Sequence, residues 1–312
     1  MQEALPASSP RPDLPSWRSI LYVPVNVPRF VAKAPEAGAD AIQLDLEDSI
    51  PADAKDAARA LVGPAARQLA QRGADVLVRI NRPLAMAVRD IEAAVCPEVS
   101  ALSITKAASP EHVRLLGEVI GECERRRGMA VGHTRLLVMI ETPQAFEAMR
   151  EIASASPRVA AMSLGAEDFA LECGFQPGED TLLLPKQAMV IAARAAGVVP
   201  VGYIGSVVDF SDMAAFGDMV RRSRRFGFDA ATCIHPRQVA VVNRAYGVSA
   251  DEAAQARRVI DENARHEAAG RGSFQLDGRM VDAPLVARAQ RVLSRYEAFG
   301  AQAATAATAA AA

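Results

Sequence analysis

The chain has 312 residues, half of them apolar, and 35 basic against 37 acidic side chains leave a net charge of −2. Such a length can bury a large core, in one large domain or two smaller ones. The mixed charge argues against general affinity for nucleic acid or membranes, and no apolar run approaches the roughly 20 residues a bilayer span needs.

The first stretch, 1–16, is polar and proline-rich, lacks the apolar segment of a secretory signal, and is expected to be disordered. SILYVP at 19–24 predicts a strand, and helical character follows over 27–37. Then comes DAIQLDLEDSI at 40–50: a short apolar strand, 41–45, running into Asp45, Glu47 and Asp48 before Pro51 opens a helix. A buried parallel strand is apolar on both faces, so acids at its carboxyl end need a reason. One reason is capping, with Asp48 or Ser49 placed to satisfy free N–H groups of the next helix. The other is a site for a hard cation.

The alternation continues. Helix formers fill 52–72, with Gly63-Pro64 expected to kink or break the helix. A strand at 75–80 ends near Arg79, a helix is read over 88–95, and a strand at 100–105 ends at Lys106. A helix over 110–127 leads to a strand at 135–140, followed by Glu141 and the cap-and-first-turn pair Thr142-Pro143, which opens a helix to 155. VAAMSL at 159–164 is a strand followed by Gly165, Glu167 and Asp168. Helices over 182–196 and 211–226 flank a weaker strand at 198–203, and a last strand, 229–234, ends at His235-Pro236. Strictly alternating strands and helices imply a parallel sheet, and eight units in roughly 230 residues match a (β/α)8 barrel. A doubly wound open sheet is the alternative, but no glycine-rich dinucleotide fingerprint is present. The barrel is assigned to 17–248. A C-terminal helical lid follows at 249–300, with helices over 251–269 and 284–299 around a polar loop, and the alanine-rich tail 301–312 is expected to fray.

Cys96, Cys123, Cys173 and Cys233 form no CxxC pair, as in reduced cytoplasmic proteins, and the four histidines show no HxxxH spacing. The basic run Arg221, Arg222, Arg224, Arg225 reads as a solvated helix face.

In a barrel of this type, function lies at the carboxyl ends of the strands. Asp45, Glu47, Asp48, Arg79, Lys106, Glu141, Asp168 and His235 all fall there. Each has a plain reading: Lys106 a solvated loop residue, Glu141 an acid favoured by a helix dipole, His235 a satisfied histidine. Together they make a mouth of carboxylates with an arginine. Carboxylates without Cys or His companions suit Mg²⁺, or Mn²⁺, and an arginine fork suits a substrate carboxylate. That pairing points to an α-keto or α-hydroxy acid undergoing aldol or Claisen chemistry.

RSILYVP, KAPEAGADAIQLDLEDSI with the later Lys55 and Arg59, VRIN, MIETPQAF, SLGAEDF, FGFDAATCIHPRQV and DGRMVDAPLVARAQRVL occur in this order. With these motifs the chain resembles the HpcH/HpaI aldolase superfamily, in its citrate lyase β-subunit-like branch with malyl-CoA and citramalyl-CoA lyases. The resemblance implies a (β/α)8 barrel with a helical lid, Mg²⁺ dependence, and homotrimers or hexamers with the lid exchanged between subunits. It implies Glu141 and Asp168 as direct metal ligands and Glu47 and Asp48 as holders of metal-bound water. Arg79 and Lys106 would bind substrate, Arg29 and Lys33 would meet the CoA phosphates, and Asp282 would be an acid or base entering a neighbour's site. The implied activity is cleavage of a carboxylate-bearing 3-hydroxyacyl-CoA, of citramalyl-CoA or malyl-CoA type, to acetyl-CoA and pyruvate or glyoxylate. Its rivals are a malyl-CoA thioesterase, a citrate lyase β-subunit acting on an acyl-carrier-protein thioester, and a catalytically silent barrel. The chain departs from the family pattern at Val25, commonly glycine, and at ITK ending in Lys106, commonly LPK.

Overall fold

The computed structural model describes residues 14–207 and 211–311, the last eleven by their backbone alone. Most of the N-terminal stretch expected to be disordered therefore lies outside the described residues. The chain divides after Tyr246 into two compact units.

In the first unit, β1 (Ser19–Pro24), α1 (Pro28–Lys33), β2 (Ala41–Asp45), α2 (Lys55–Ala70), β3 (Asp75–Ile80) and α3 (Leu84–Ala94) open the barrel. β4 (Ala101–Ile104), α4 (Pro110–Arg126), β5 (Arg135–Ile140), α5 (Pro143–Glu147), α6 (Met149–Ser154) and β6 (Val159–Leu164) continue it. α7 (Ala166–Cys173), α8 (Glu179–Ala196), β7 (Val199–Val201), α9 (Met213–Arg225), β8 (Ala231–Cys233) and α10 (Pro236–Tyr246) complete it. All eight strands are parallel, in the order β7-β6-β5-β4-β3-β2-β1-β8. The seam closes where Val201 bridges Ala230, with Gly202 N–H donating to the Ala230 carbonyl at 2.8 Å. The open-sheet alternative is thereby set aside.

Period-two alternation sorts the strand side chains. One set points outward into a shell packed under the helices, with Ile42, Leu44, Val76 and Val78 buried. The other forms an inner plug that includes Ile20, Leu77, Leu137 and Val199, and Trp17 closes its base by donating to Asp75 at 2.7 Å.

Helix α2 runs through Pro64 without the expected break. Proline removes one backbone hydrogen bond, but Ala58, Val62, Ala66 and Leu69 are buried against the barrel and hold both turns in line. The expected helix over 143–155 is divided at Ala148 into α5 and α6. Thr142 caps α5 as its sequence suggests, accepting from Ala145 N–H at 3.2 Å.

The second unit holds α11 (Ala250–Ala268), β9 (Phe274–Leu276), β10 (Arg279–Val281) and α12 (Ala283–Ala311). Its supposed polar loop is an antiparallel hairpin turning at Asp277-Gly278. Both turn residues have positive φ, 50° and 76°, the backbone that a two-residue Asp-Gly turn supplies. The tail expected to fray from 301 instead continues α12 to Ala311, as befits alanine, the strongest helix former.

Candidate active site

The parallel register sets Asp45 beside Arg79. The Arg79 fork grips Asp45 with two hydrogen bonds of 2.7 Å, from Nε and Nη2. Its Nη1 reaches Asp48 at 3.1 Å and lies 2.7 Å from Glu47 Oε2, but off the line of its N–H, so that oxygen has no formed hydrogen bond. The Tyr22 ring stacks beneath the guanidinium, 4.9 Å from its carbon. Asp45 also accepts from Glu47 N–H at 2.9 Å and Ser49 N–H at 3.1 Å, which makes the turn after β2. The capping reading fails for Asp48 and Ser49: the helical turn after Pro51 has no side-chain cap.

This acidic loop is braced from behind. Lys55 Nζ donates to the carbonyls of Leu46 and Glu47 at 2.8 and 2.6 Å. Asn81 donates to the Leu46 carbonyl and to the fully buried Asp90, which also takes Arg59 Nε at 2.6 Å.

Glu141 and Asp168 stand on the other side of the mouth. Glu141 is 3 % exposed, and its Oε2 accepts the Lys106 backbone N–H at 2.6 Å. Lys106 achieves this with φ at +46°, a left-handed conformation that costs a non-glycine residue about 1–2 kcal/mol. The Glu141 side chain lies against Gly165, where an added Cβ would be 2.6 Å from Oε1 and 2.8 Å from Cγ. Asp168, in the first turn of α7, takes the Lys106 ammonium at 2.9 Å, and that ammonium lies 3.8 Å from Glu47.

Protonation follows burial and partners. Burial raises Glu47 to about 7 despite the nearby Arg79 cation. Glu141 is also raised, chiefly by burial. Burial works the same way on Asp45, but the hydrogen bonds and charge of Arg79, with the hydrogen bonds from Ser49 and the Glu47 backbone, together outweigh it and hold the carboxyl below its usual range. Burial lowers the Lys106 ammonium, and Asp168, Glu141 and Glu47 together raise it above its ordinary value.

The structure thus brings Glu47, Asp48, Arg79, Lys106, Glu141 and Asp168 to one rim. The Arg79 fork, expected to be open for substrate, is already bound to Asp45. Arg29 and Lys33 are exposed on α1, which leaves β1 at the same end of the barrel. His235 takes its plain role, Nδ1 accepting from Arg237 N–H at the start of α10. Asp282 lies in the second unit, where its carbonyl starts α12 and its buried Oδ1 has no hydrogen-bond partner. Sequence reasoning assigned no role to Tyr22, Gly165 or the Asn81–Asp90 brace. The alternating pattern of ILYVP marks Tyr22 as facing inward with Pro24, the one available signal for it.

Among the described residues no cluster of three or more His, Cys, Asp or Glu converges on one point. Mg²⁺ needs no such cluster, because it is usually held by one or two carboxylates and keeps several waters. The donor set fits it: oxygen only, an orphaned Glu47 Oε2, two carboxyls raised chiefly by burial and further by neighbouring acids, and the Lys106 ammonium standing between acids as a monovalent stand-in.

The HpcH/HpaI aldolase/citrate lyase family model matches residues 18–236. The chain belongs to this family. It is 33 % identical to the citrate lyase subunit beta of Escherichia coli over 286 residues, 91 % of this chain and 94 % of that one. It is 31 % identical to the L-malyl-CoA/beta-methylmalyl-CoA lyase of Cereibacter sphaeroides over 322 residues, covering 95 % and 98 %. Among solved structures it resembles the CitE protein of Mycobacterium tuberculosis in complex with magnesium, acetoacetate and coenzyme A. There the TM-score is 0.70 at 28 % identity, with 89 % of this chain and 97 % of that one covered. The protein is accordingly an enzyme of a carbon–carbon lyase family. No helix among the described residues is long and apolar enough to cross a membrane.

Proposed function

We propose that the enzyme reversibly cleaves a carboxylate-bearing 3-hydroxyacyl-CoA, of malyl-CoA or citramalyl-CoA type, to acetyl-CoA and glyoxylate or pyruvate. The observation that carries this reading is the Glu141–Lys106–Asp168 arrangement at the barrel mouth, two acids around one cation beside the Arg79 cluster. Glu141 and Asp168 would hold Mg²⁺ or Mn²⁺, with Glu47 and Asp48 as the outer carboxylates of the site. When bound, the cation supplies Lewis-acid polarisation of the substrate's oxygen.

The chain's own groups do the rest. Arg79, already preset by Asp45, turns its Nη1 edge to the substrate carboxylate, and Lys106 neutralises charge at the same rim. The substrate hydroxyl gives its proton to the rim carboxylates, the bond between the hydroxyl-bearing carbon and the thioester α-carbon breaks, and its electron pair becomes the thioester enolate. Asp282, brought from a neighbouring subunit of a homotrimer or hexamer, protonates that carbon, and its unpartnered Oδ1 suits the task. Arg29 and Lys33 meet the CoA phosphates. The reduced cysteines fit a cytoplasmic protein.

The test is Asp168→Ala, assayed for Mg²⁺-dependent release of keto acid from malyl-CoA and citramalyl-CoA. Loss of release supports the assignment, and undiminished activity refutes it. A second reading, a β-subunit acting on an acyl-carrier-protein thioester, is favoured by the near full-length match to citrate lyase subunit beta. Activity on free CoA thioesters separates the two.

A further inference from the structure

The interior of a (β/α)8 barrel is normally filled with branched apolar side chains, and the lower inner layer here obeys that rule. One step closer to the mouth it does not. Along β6, Ala161 belongs to the inner plug, Gly165 lies against Glu141, and Ser163 falls between them on the same face. Along β2 the corresponding series is Ala41, Gln43 and Asp45. Gln43 and Ser103 are completely buried and Ser163 is 7 % exposed.

Ser103 donates to Gln43 Oε1 at 2.5 Å. Gln43 Nε2 is buried without a hydrogen-bond partner, and the Tyr22 side chain stands beside this amide. Ser163 Oγ has no partner at all. Its strand neighbours in register are Met139 and Val201, neither of which carries a side-chain donor. Buried polar atoms are almost always paired. An unpaired hydroxyl one residue pair below the acid rim, roughly 7 Å along the strand, is therefore placed to meet whatever occupies the rim from beneath.

We propose that Ser163, supported by Gln43, reads the substituent on the keto carbon and selects hydrogen over methyl. This rests on the lyase reading above and narrows it: glyoxylate is the keto acid, and malyl-type thioesters are the substrates. With hydrogen at the keto carbon, a water remains on Ser163 Oγ and satisfies it. A methyl group displaces that water, cannot reproduce its hydrogen bonds, and loses affinity for that reason.

The experiment measures two ratios on the Mg²⁺-loaded full-length protein, for wild type, Ser163→Ala and Gln43→Leu. One is the calorimetric affinity for glyoxylate against pyruvate, and the other is kcat/KM for condensation of each with acetyl-CoA. Wild type is expected to favour glyoxylate about tenfold or more, the discrimination one methyl group can support. Ser163→Ala, which removes one oxygen and no packing, is expected to bring both ratios close to unity by improving pyruvate. A wild-type preference for pyruvate, or variants that change both acids equally, overturns the proposal. If the affinity ratio shifts while no condensation occurs, the role of Ser163 is upheld and the lyase reading fails. If condensation occurs with an unshifted ratio, the lyase reading holds and the role of Ser163 does not. Failure of both acids to bind overturns both.

Discussion

Gly165→Ala tests the mouth at its tightest point. The glycine has φ −70° and ψ 110°, which alanine adopts freely, so any effect comes from the new methyl group and not from the backbone. That methyl would stand 2.6, 2.8 and 3.1 Å from Glu141 Oε1, Cγ and Cδ, all inside normal contact. Glu141 cannot swing aside at no cost, because it is buried and its Oε2 is fixed by the Lys106 N–H at 2.6 Å. Overpacking of this kind costs about 1–3 kcal/mol, and breaking a hydrogen bond to a charged group costs about 1.5–3 kcal/mol. Relaxation lets the side chain choose the smaller penalty, so a net loss of about 2 kcal/mol is expected. In a barrel of this size that lowers Tm by about 4–8 °C. The same displacement moves the Glu141 carboxylate off its place, and a 2 kcal/mol loss in metal affinity is about thirtyfold in Kd. Differential scanning calorimetry of the metal-free protein and calorimetric titration with Mg²⁺ read the two effects separately. An alanine variant with wild-type Mg²⁺ affinity would show that Glu141 does not hold the cation, whatever its Tm.

Four further outcomes are expected. Lys55→Met frees the Leu46 and Glu47 carbonyls from their common donor and should weaken Mg²⁺ binding by calorimetry, with Lys55→Arg restoring part of it. Asp90→Ala leaves the buried Arg59 guanidinium with only the exposed Asp56 as its carboxylate partner, removes the acceptor of Asn81, and should destabilise the fold by about 3 kcal/mol in urea unfolding. Burial raises and the Arg158 hydrogen bonds and charge lower Glu124, which ends at about 2 against an ordinary 4.5. Because its folded pKa lies below the unfolded one, the stability it contributes is present above about pH 4.5 and is lost as pH falls toward 2; Glu124→Gln should flatten that limb of the acid-unfolding profile. If Asp282 acts in a neighbour's site, equal mixing of inactive Asp168→Ala and Asp282→Asn subunits should restore activity to about a quarter of its sites, since a site then needs both intact residues by chance; no recovery after verified subunit exchange would place Asp282 in its own subunit's site.

Most of the barrel was readable from sequence because a strand buried on both faces is a continuous apolar run with sharp ends. SILYVP, DVLVRI, RLLVMI and VAAMSL therefore coincide with β1, β3, β5 and β6 to the residue. What escaped was structure carried by short or competing signals. Helix α7 spans only Ala166–Cys173, and its two leading acids drew attention to chemistry and away from its closing glycine, Gly174 at φ 75°. The LDGR turn is a strong hairpin signal that lay inside a stretch dismissed as polar loop. At the rim, the acids were legible by position alone. Their partnerships were not, because whether Asp45 or a substrate occupies the Arg79 fork depends on cross-strand register, and sequence spacing carries no record of it.

That register changes how the mouth must work. Asp45, Glu47, Asp48, Glu141 and Asp168 face Arg79 and Lys106, so acids outnumber cations at the rim. The raised Glu47 and Glu141 are the protein's response, since holding a proton is the cheapest way to relieve crowded, buried carboxylates. A keto acid approaching this rim adds another negative charge to the excess, and Arg79 cannot compensate for it because its fork already belongs to Asp45. On the proposed assignment a divalent cation would supply the missing positive charge, and the Lys106 ammonium, no longer needed by Asp168, would be available with the Nη1 edge of Arg79 to the substrate's carboxylate. On this electrostatic ground the cation is expected to bind before the acid, and calorimetric Mg²⁺ titrations should show an affinity that falls as pH drops through about 7, where Glu47 gains its proton.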